Sequence, residues 1–286
     1  MKRTMIGIVI FSLAAAGLTA GPNSKFSLYL GGGWGLFGGG DFNDAAAGMN
    51  AFREAYYPGL DGKYKKFNTG FNSGFEAVYW WKPNMGIGLG IDWYGSGFSD
   101  NKVHFQNGIA YDYTFTAGVN VVPVTAQFHY RLPLCEKSFL DFFLGPGLYF
   151  GCFDFEKDYD YDYHDLSGVF KYSAKTTALG FQAGARVDYP IIKDKLWFFG
   201  GIETRVTSLK NLKDEWSYKE TSDLGPYDKS GKDYKFWVYD YLDNGTTYKQ
   251  FGFGPDMPMG TNIQNAKEGS IGGSAMIFRF GVKVEF

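Results

Sequence analysis

The strongest constraint on this 286-residue chain is a period of two. Side chains alternate faces along an extended backbone, so an apolar residue at every second position marks a strand with one apolar face. The segment at 173–190 is the plainest case. There Leu179, Phe181, Ala183, Ala185, Val187 and Tyr189 oppose Gly180, Gln182, Gly184, Arg186 and Asp188. The last ten residues, IFRFGVKVEF, repeat the pattern, with Phe278, Phe280, Val282, Val284 and Phe286 on one face and Arg279, Gly281, Lys283 and Glu285 on the other. A half-buried sheet in a water-soluble domain alternates too, so the arrangement of the segments has to decide.

Eight such segments are expected, at 25–37, 71–81, 85–95, 110–131, 139–155, 173–190, 196–208 and 277–286. Links at 82–84, 132–138 and 191–195 are short, whereas those at 38–66, 98–109, 156–172 and 209–269 are long. Strict alternation of short and long links predicts an all-β fold: an antiparallel transmembrane β-barrel of eight strands with short periplasmic turns and long extracellular loops. The apolar faces then meet lipid. The polar faces line the lumen with Glu76, Asp92, Gln127, His129, Asp141, Gln182, Arg186, Asp188, Glu203, Arg205, Arg279 and Lys283. Pairing about the 191–195 link puts Arg186 close to Glu203. Phe, Tyr and Trp make up 20% of the chain, roughly twice the share in an average soluble domain, and rings with polar tips suit membrane interfaces.

One segment breaks the rule. Tyr111, Tyr113, Phe115, Ala117 and Val119 are apolar at odd positions, but Val124, Ala126, Phe128 and Tyr130 are apolar at even ones. One inserted residue reconciles the halves, so a β-bulge is expected near 121–124, beside Pro123.

Within the first long link, NDAAAGMNAFREAYYPG reads as a helix with Asp44 as N-cap and Pro58-Gly59 as its stop. It presents Ala45, Met49, Phe52 and Tyr56 on one face and is expected to pack on loop aromatics. Asp158, Asp160 and Asp162 recur at every second position and read as a solvated acidic loop. In the last link, about 209–269, Asn244-Gly245 is a type I′ hairpin signal. We read that hairpin as extracellular; inside the bilayer it would make a barrel of ten strands.

Residues 1–20, with Lys2 and Arg3 ahead of an apolar run and a small-residue exit, read as a cleaved signal peptide, leaving 21–286 as one barrel domain. The net charge of −2 excludes a phosphate-neutralising nucleic-acid binder. Cys135 and Cys152 are expected free, and no zinc spacing occurs. His104, His129 and His164 fall into no catalytic motif, so no enzyme, cofactor or metal is expected.

The signal peptide, the alternating strands, VNVVPVTAQFHYRLP at 119–133 and the terminal Phe286 resemble the small eight-stranded outer-membrane barrels of the OmpW-like and OmpA-like families. That resemblance implies Sec export to the outer membrane of a Gram-negative envelope. It also implies periplasmic chaperones, and recognition of Phe278, Phe280, Val282, Val284 and Phe286 by the barrel assembly machinery. A monomer in outer-membrane lipid and lipopolysaccharide is expected. Two non-enzymatic roles follow. In one, a largely filled lumen makes the barrel structural or surface-displaying. In the other, the lumen-facing Gly31, Gly33, Gly35, Gly86, Gly88, Gly90, Gly180 and Gly184 leave room for a narrow OmpW-like channel or small-molecule pore. A lipid-modifying enzyme is a third reading, and it needs His and Ser clustered at the rim.

Overall fold

A computed structural model describes residues 26–58, 62–106, 110–135, 138–161, 166–192, 195–222 and 225–286. The expected signal peptide, Gly59, Asp162 and His164 lie outside the described residues. The elements are β1 (Phe26–Gly40), α1 (Asp41–Tyr56), β2 (Thr69–Lys82), β3 (Met85–Gln106), β4 (Ala110–Cys135), β5 (Ser138–Tyr161), β6 (Leu166–Ile192) and β7 (Leu196–Leu209). They continue with β8 (Lys213–Ser222), β9 (Gly225–Gly231), β10 (Lys235–Asp243), β11 (Thr246–Gly254), β12 (Ile263–Glu268) and β13 (Ile271–Glu285).

Strands β1 to β7 pair in sequence, β7 pairs with β13, and β13 returns to β1, so eight antiparallel strands close a ring. Strands β10, β11 and β12 form a separate three-stranded sheet, which excludes a ten-stranded ring. Exposed apolar side chains girdle the ring, among them Phe71 and Phe75 on β2, Leu89 on β3, Leu148 on β5, Leu179 on β6, Val206 on β7 and Phe280 on β13. Such a band on every strand is the mark of a wall solvated by hydrocarbon, since a water-soluble surface would not leave it uncovered. No described helix is long and apolar enough to cross a membrane.

Short links, including Pro83-Asn84, gather at the end where Ser27 pairs with Glu285. We call this the turn end and the opposite one the loop end. There the structure corrects the expected loops at 98–109 and 156–172. Strands β3 to β6 run for 22, 26, 24 and 27 residues, against the 9–11 or so that a bilayer needs. They continue past the band as a paired outer lobe. Beyond lipid the outward face of the strand turns polar, as at Asp154, Glu156 and Lys171, while inward Phe155 and Tyr172 stay buried, so the lipid-facing apolar row that marks a membrane strand in the sequence ends there. Cross-strand partners such as Glu156 and Lys171, 2.9 Å apart, sustain the ladder. Strand β8 extends this lobe. β6 pairs with β7 over 180–192 and with β8 over 167–175, the register slipping by one residue at 210–212, where Asn211 has φ 52°. β9 then adds to β8.

The bulge expected at 121–124 is absent. The β4 pairings to β3 and β5 run through those positions without a shift; the β3–β4 slip falls at Phe98/Asn101. Odd positions from Phe115 to Arg131 all face inward. The interior itself changes character, being apolar toward the loop end and charged toward the turn end.

Helix α1 starts at Asp41, three residues before the expected N-cap. Gly40, at φ 58°, turns the chain out of β1, and a Cβ there would meet the Gly272 backbone at 2.5 Å. Asp41 is tied down by the backbone N–H and hydroxyl of Ser270 at 3.0 and 2.8 Å and by Lys267 at 3.0 Å. Asp44 lies within the first turn.

Candidate functional site

The lumen is the place where chemistry-bearing residues converge, and the pleat explains why. Inward positions on eight strands bring Glu76, Asp92, His129, Asp141, Arg186, Asp188, Glu203, Arg205, Arg279 and Lys283 together, each less than one-tenth exposed. Buried charge is tolerated only when paired and hydrogen-bonded, and here the charges stack in three layers.

The layer nearest the turn end centres on Lys283. Its ammonium lies 2.6 Å from Asp188 and 3.1 Å from Glu285, and Arg131 reaches the same Glu285 at 3.1 Å. Aromatic faces complete the shell: Arg131 lies 3.8 Å from the Trp80 ring centre and Lys283 4.1 Å from that of Trp197. Desolvated cations over rings gain additional attraction.

In the middle layer Arg186 donates to both Glu76 oxygens at 2.8 and 3.1 Å and to Asp141 through Nε and Nη2 at 3.0 and 2.8 Å. Its guanidinium lies 3.4 Å from the Tyr29 ring centre. His129 bridges the two carboxylates, Nε2 to Glu76 and Nδ1 to Asp141, both at 3.2 Å. The third layer joins Arg205 to Asp92 at 2.7 Å and to Glu203, and Arg279 to the same two carboxylates at 2.8 and 3.4 Å. Strand register sets Arg186 opposite Gly201 and Glu203 opposite Gly184. Arg186 and Glu203 are therefore not partners, contrary to the adjacency expected from the hairpin, because Arg186 spans the lumen to β2 instead. Gln127 and Gln182 are buried as well, Gln182 opposite Arg205 of the third layer, and Gln127 donates to Thr125 at 2.8 Å.

Above the charges the interior is aromatic. Inward Phe115, Val119 and Val121 on β4, Phe153 on β5 and Tyr172 on β6 join one apolar cluster with Phe42 of α1 and Phe236, Val238 and Phe251 of the inner sheet. Phe42 sits 4.9 Å from Phe67, 5.2 Å from Phe251 and 5.7 Å from Phe153, ring centre to ring centre. The β10–β11 hairpin turns at Asn244 (φ 48°) and Gly245 (φ 80°), as a type I′ turn requires. It packs into the mouth of the ring rather than standing free outside it. Ala45 of the expected helix face is fully buried and Met49 partly so, Phe52 meets Tyr248 edge to face, and Phe42 anchors the helix.

Rings occupy the space over Gly31, Gly86, Gly88, Gly180 and Gly184, whereas a Cβ on Gly33 or Gly35 would meet the β13 backbone and one on Gly90 the Gln127 and Thr125 side chains. A Cβ on Gly31 would meet the Phe199 ring at 2.5 Å, and one on Gly88 would meet His129 at 2.6 Å. Sequence reasoning missed Tyr29, Arg131 and Glu285 as members of the network, although Arg131 and Glu285 stand on polar faces of their strands. It missed Phe42 altogether, because an apolar residue beside a loop glycine carries no period. Cys135 and Cys152 are not joined by a disulfide. His104 lies on β3 in the outer lobe.

The closed ring, the lipid-facing band and the charged interior define a transmembrane β-barrel of the outer-membrane type. Its eight strands are the architecture that the resemblance to OmpW-like and OmpA-like barrels implies. No family model and no curated protein matches the chain. Solved structures to which it is similar include a major outer membrane protein from Thermus thermophilus, 13% identical, covering 91% of this chain and 99% of that one with a TM-score of 0.35. OprG from Pseudomonas aeruginosa is 10% identical over 92% of this chain and 97% of its own, with a TM-score of 0.35. The outer membrane protease OmpT from Escherichia coli is 10% identical over 94% and 100%, with a TM-score of 0.25. At such TM-scores these likenesses carry no argument, and the class rests on the chain's own geometry.

Proposed function

We propose that this protein is a non-enzymatic, structural outer-membrane barrel whose filled lumen anchors and displays the outer lobe. The observation that carries this reading is continuity of filling. Three cross-lumen ion-pair layers lead directly into an aromatic plug built from α1 and the inner sheet. An eight-stranded ring is only wide enough for its own side chains, and here rings roof Gly31, Gly86, Gly88, Gly180 and Gly184 rather than leaving them open to a path. His129 is fully buried between two carboxylates, which supports a positioning role in the network over contact with a substrate.

On this reading the turn end faces the periplasm and the outer lobe faces outward. Outer-membrane lipid and lipopolysaccharide solvate the band, and the protein stands as a monomer. Periplasmic chaperones and the barrel assembly machinery handle the chain before closure, with Phe278, Phe280, Val282, Val284 and Phe286 as the recognition strand. Planar-bilayer recording of the refolded protein tests the reading. The expected result is a silent bilayer, and a reproducible unitary conductance from the intact protein would overturn it in favour of a channel.

A further inference from the structure

The outer lobe holds an open cleft of about 1110 Å³ between the extended β4–β5–β6–β8–β9 wall and the inner sheet. That is just above the range of about 300 to 1,000 Å³ for pockets that take small organic ligands. It lies beyond the lipid band, because the outward positions of β5 change from Leu148 and Phe150 to Asp154 and Glu156 before Lys157 is reached. Aromatic side chains form its walls: Tyr113 on β4, Tyr159 on β5, Phe170 on β6, Trp216 and Tyr218 on β8, and Tyr234 in the link before β10.

The polar groups of the cleft are unequally provided for. Glu220 accepts from the hydroxyls of Tyr159, at 2.6 Å, and Tyr218; Asp233 accepts from the Trp216 indole at 2.6 Å, and Trp216 stacks on Tyr234 with ring centres 4.0 Å apart. Both carboxylates thus serve to fix the aromatic walls. Lys157 differs. Its ammonium lies 4.0 Å from the centre of the Tyr113 ring and 5.7 Å from that of Tyr159, and among the described residues it has no carboxylate partner. Lys229 at the rim likewise faces a ring, that of Tyr227 at 5.2 Å.

We propose that this cleft is a binding site for a small organic anion bearing a planar aromatic ring, with the ring held between the tyrosine and tryptophan walls and the anionic group on Lys157. A ring stacks on the walls without needing hydrogen bonds. A partly desolvated ammonium without a counter-charge gains most from an anion that brings one. A neutral saccharide would use the walls and the hydroxyls but would leave Lys157 uncompensated.

The cleft lies above the ion-pair layers and shares Phe115 and Phe251 with the plug, but binding there needs no closed lumen, so a unitary conductance would overturn the plugged reading and leave this site standing. The test is calorimetric titration of the protein in lipid nanodiscs, against empty nanodiscs, with 2-naphthoate, its neutral analogue 2-naphthalenemethanol, and a maltooligosaccharide. The expected result is saturable 2-naphthoate binding that Lys157→Met weakens about tenfold and Lys157→Arg largely retains. Neutral-analogue binding should change less than about twofold, and Trp216→Ala should weaken both. Unchanged heat-modifiability of each variant confirms that the barrel is intact. Equal naphthoate affinity in the intact protein and in Lys157→Met, no saturable naphthoate binding, or saturable binding of the saccharide alone would overturn the proposal.

Discussion

Arg186 and Glu76 sit on strands β6 and β2, four places apart in the ring of eight, yet they meet across the lumen in a two-pronged contact of 2.8 and 3.1 Å. The pair braces opposite walls, which neighbouring-strand hydrogen bonds cannot do. Removing one member of a buried pair leaves an uncompensated charge, at about 3 to 5 kcal/mol, whereas removing both is often near neutral. Arg186→Met should therefore destabilise the barrel more than Arg186→Met combined with Glu76→Gln, as read by urea unfolding in vesicles. A single-variant loss under about 1 kcal/mol, the range for exposed pairs, would mean that water reaches this layer.

Gly184 faces inward under the Phe143 ring, and a Cβ there would also meet the Ile202 carbonyl at 2.6 Å. Gly184→Val should cost about 1 to 3 kcal/mol through overpacking, while Ala183→Val on the lipid-facing side of the same strand should be close to neutral. Comparing the denaturation midpoints of the two variants checks it. Similar midpoints would reveal slack in the lumen.

Phe286 exchanges backbone hydrogen bonds with Phe26 at 2.8 and 3.3 Å, completing the seam between β13 and β1. Its removal should lower the yield of assembled barrel in cells far more than removal of Met259, which is 81% exposed in the link before β12. Quantifying heat-modifiable protein in outer-membrane fractions decides between the two.

Burial in the aromatic cleft lowers the Lys157 ammonium from the ordinary lysine value of 10.5 to about 8. Between those values the unfolded chain binds more protons than the folded one, so the stability contributed by this part of the outer lobe should rise with pH across that window. Reductive ¹³C-methylation followed by NMR titration should show one lysine resonance moving near pH 8. If every lysine titrates near its ordinary value, the ammonium is solvated.

What the sequence revealed depended on what lipid demands. Hydrocarbon imposes a strict alternation on any strand it touches, and Leu179 to Tyr189 could be read without error. The outer halves of β3 to β6 face water, which tolerates Glu156 and Lys171 on the same strands that bury Phe155 and Tyr172, so 156–172 looks like loop. Alternation also says which face is apolar but not which face is inside. Ala117 and Val119 therefore read as lipid-facing by way of a bulge, when a plug some 120 residues downstream, around Phe236 and Phe251, makes the lumen apolar. The charged inward positions were legible one by one, but their partners were not, since Arg186 chooses between Glu203 and Glu76 by reach across a cavity whose diameter no single hairpin encodes.

The β1–β13 seam joins Ser27 to Glu285, 258 residues apart along the chain. No local hairpin can nucleate that contact, and the entropy of closing so long a loop is spent before any of its ladder forms. Once closed, the reverse step must expose two rows of unpaired amides to hydrocarbon together. The seam is thus slow to make and slower to undo, and the lifetime of the folded protein is set by the height of that barrier rather than by the depth of the native well.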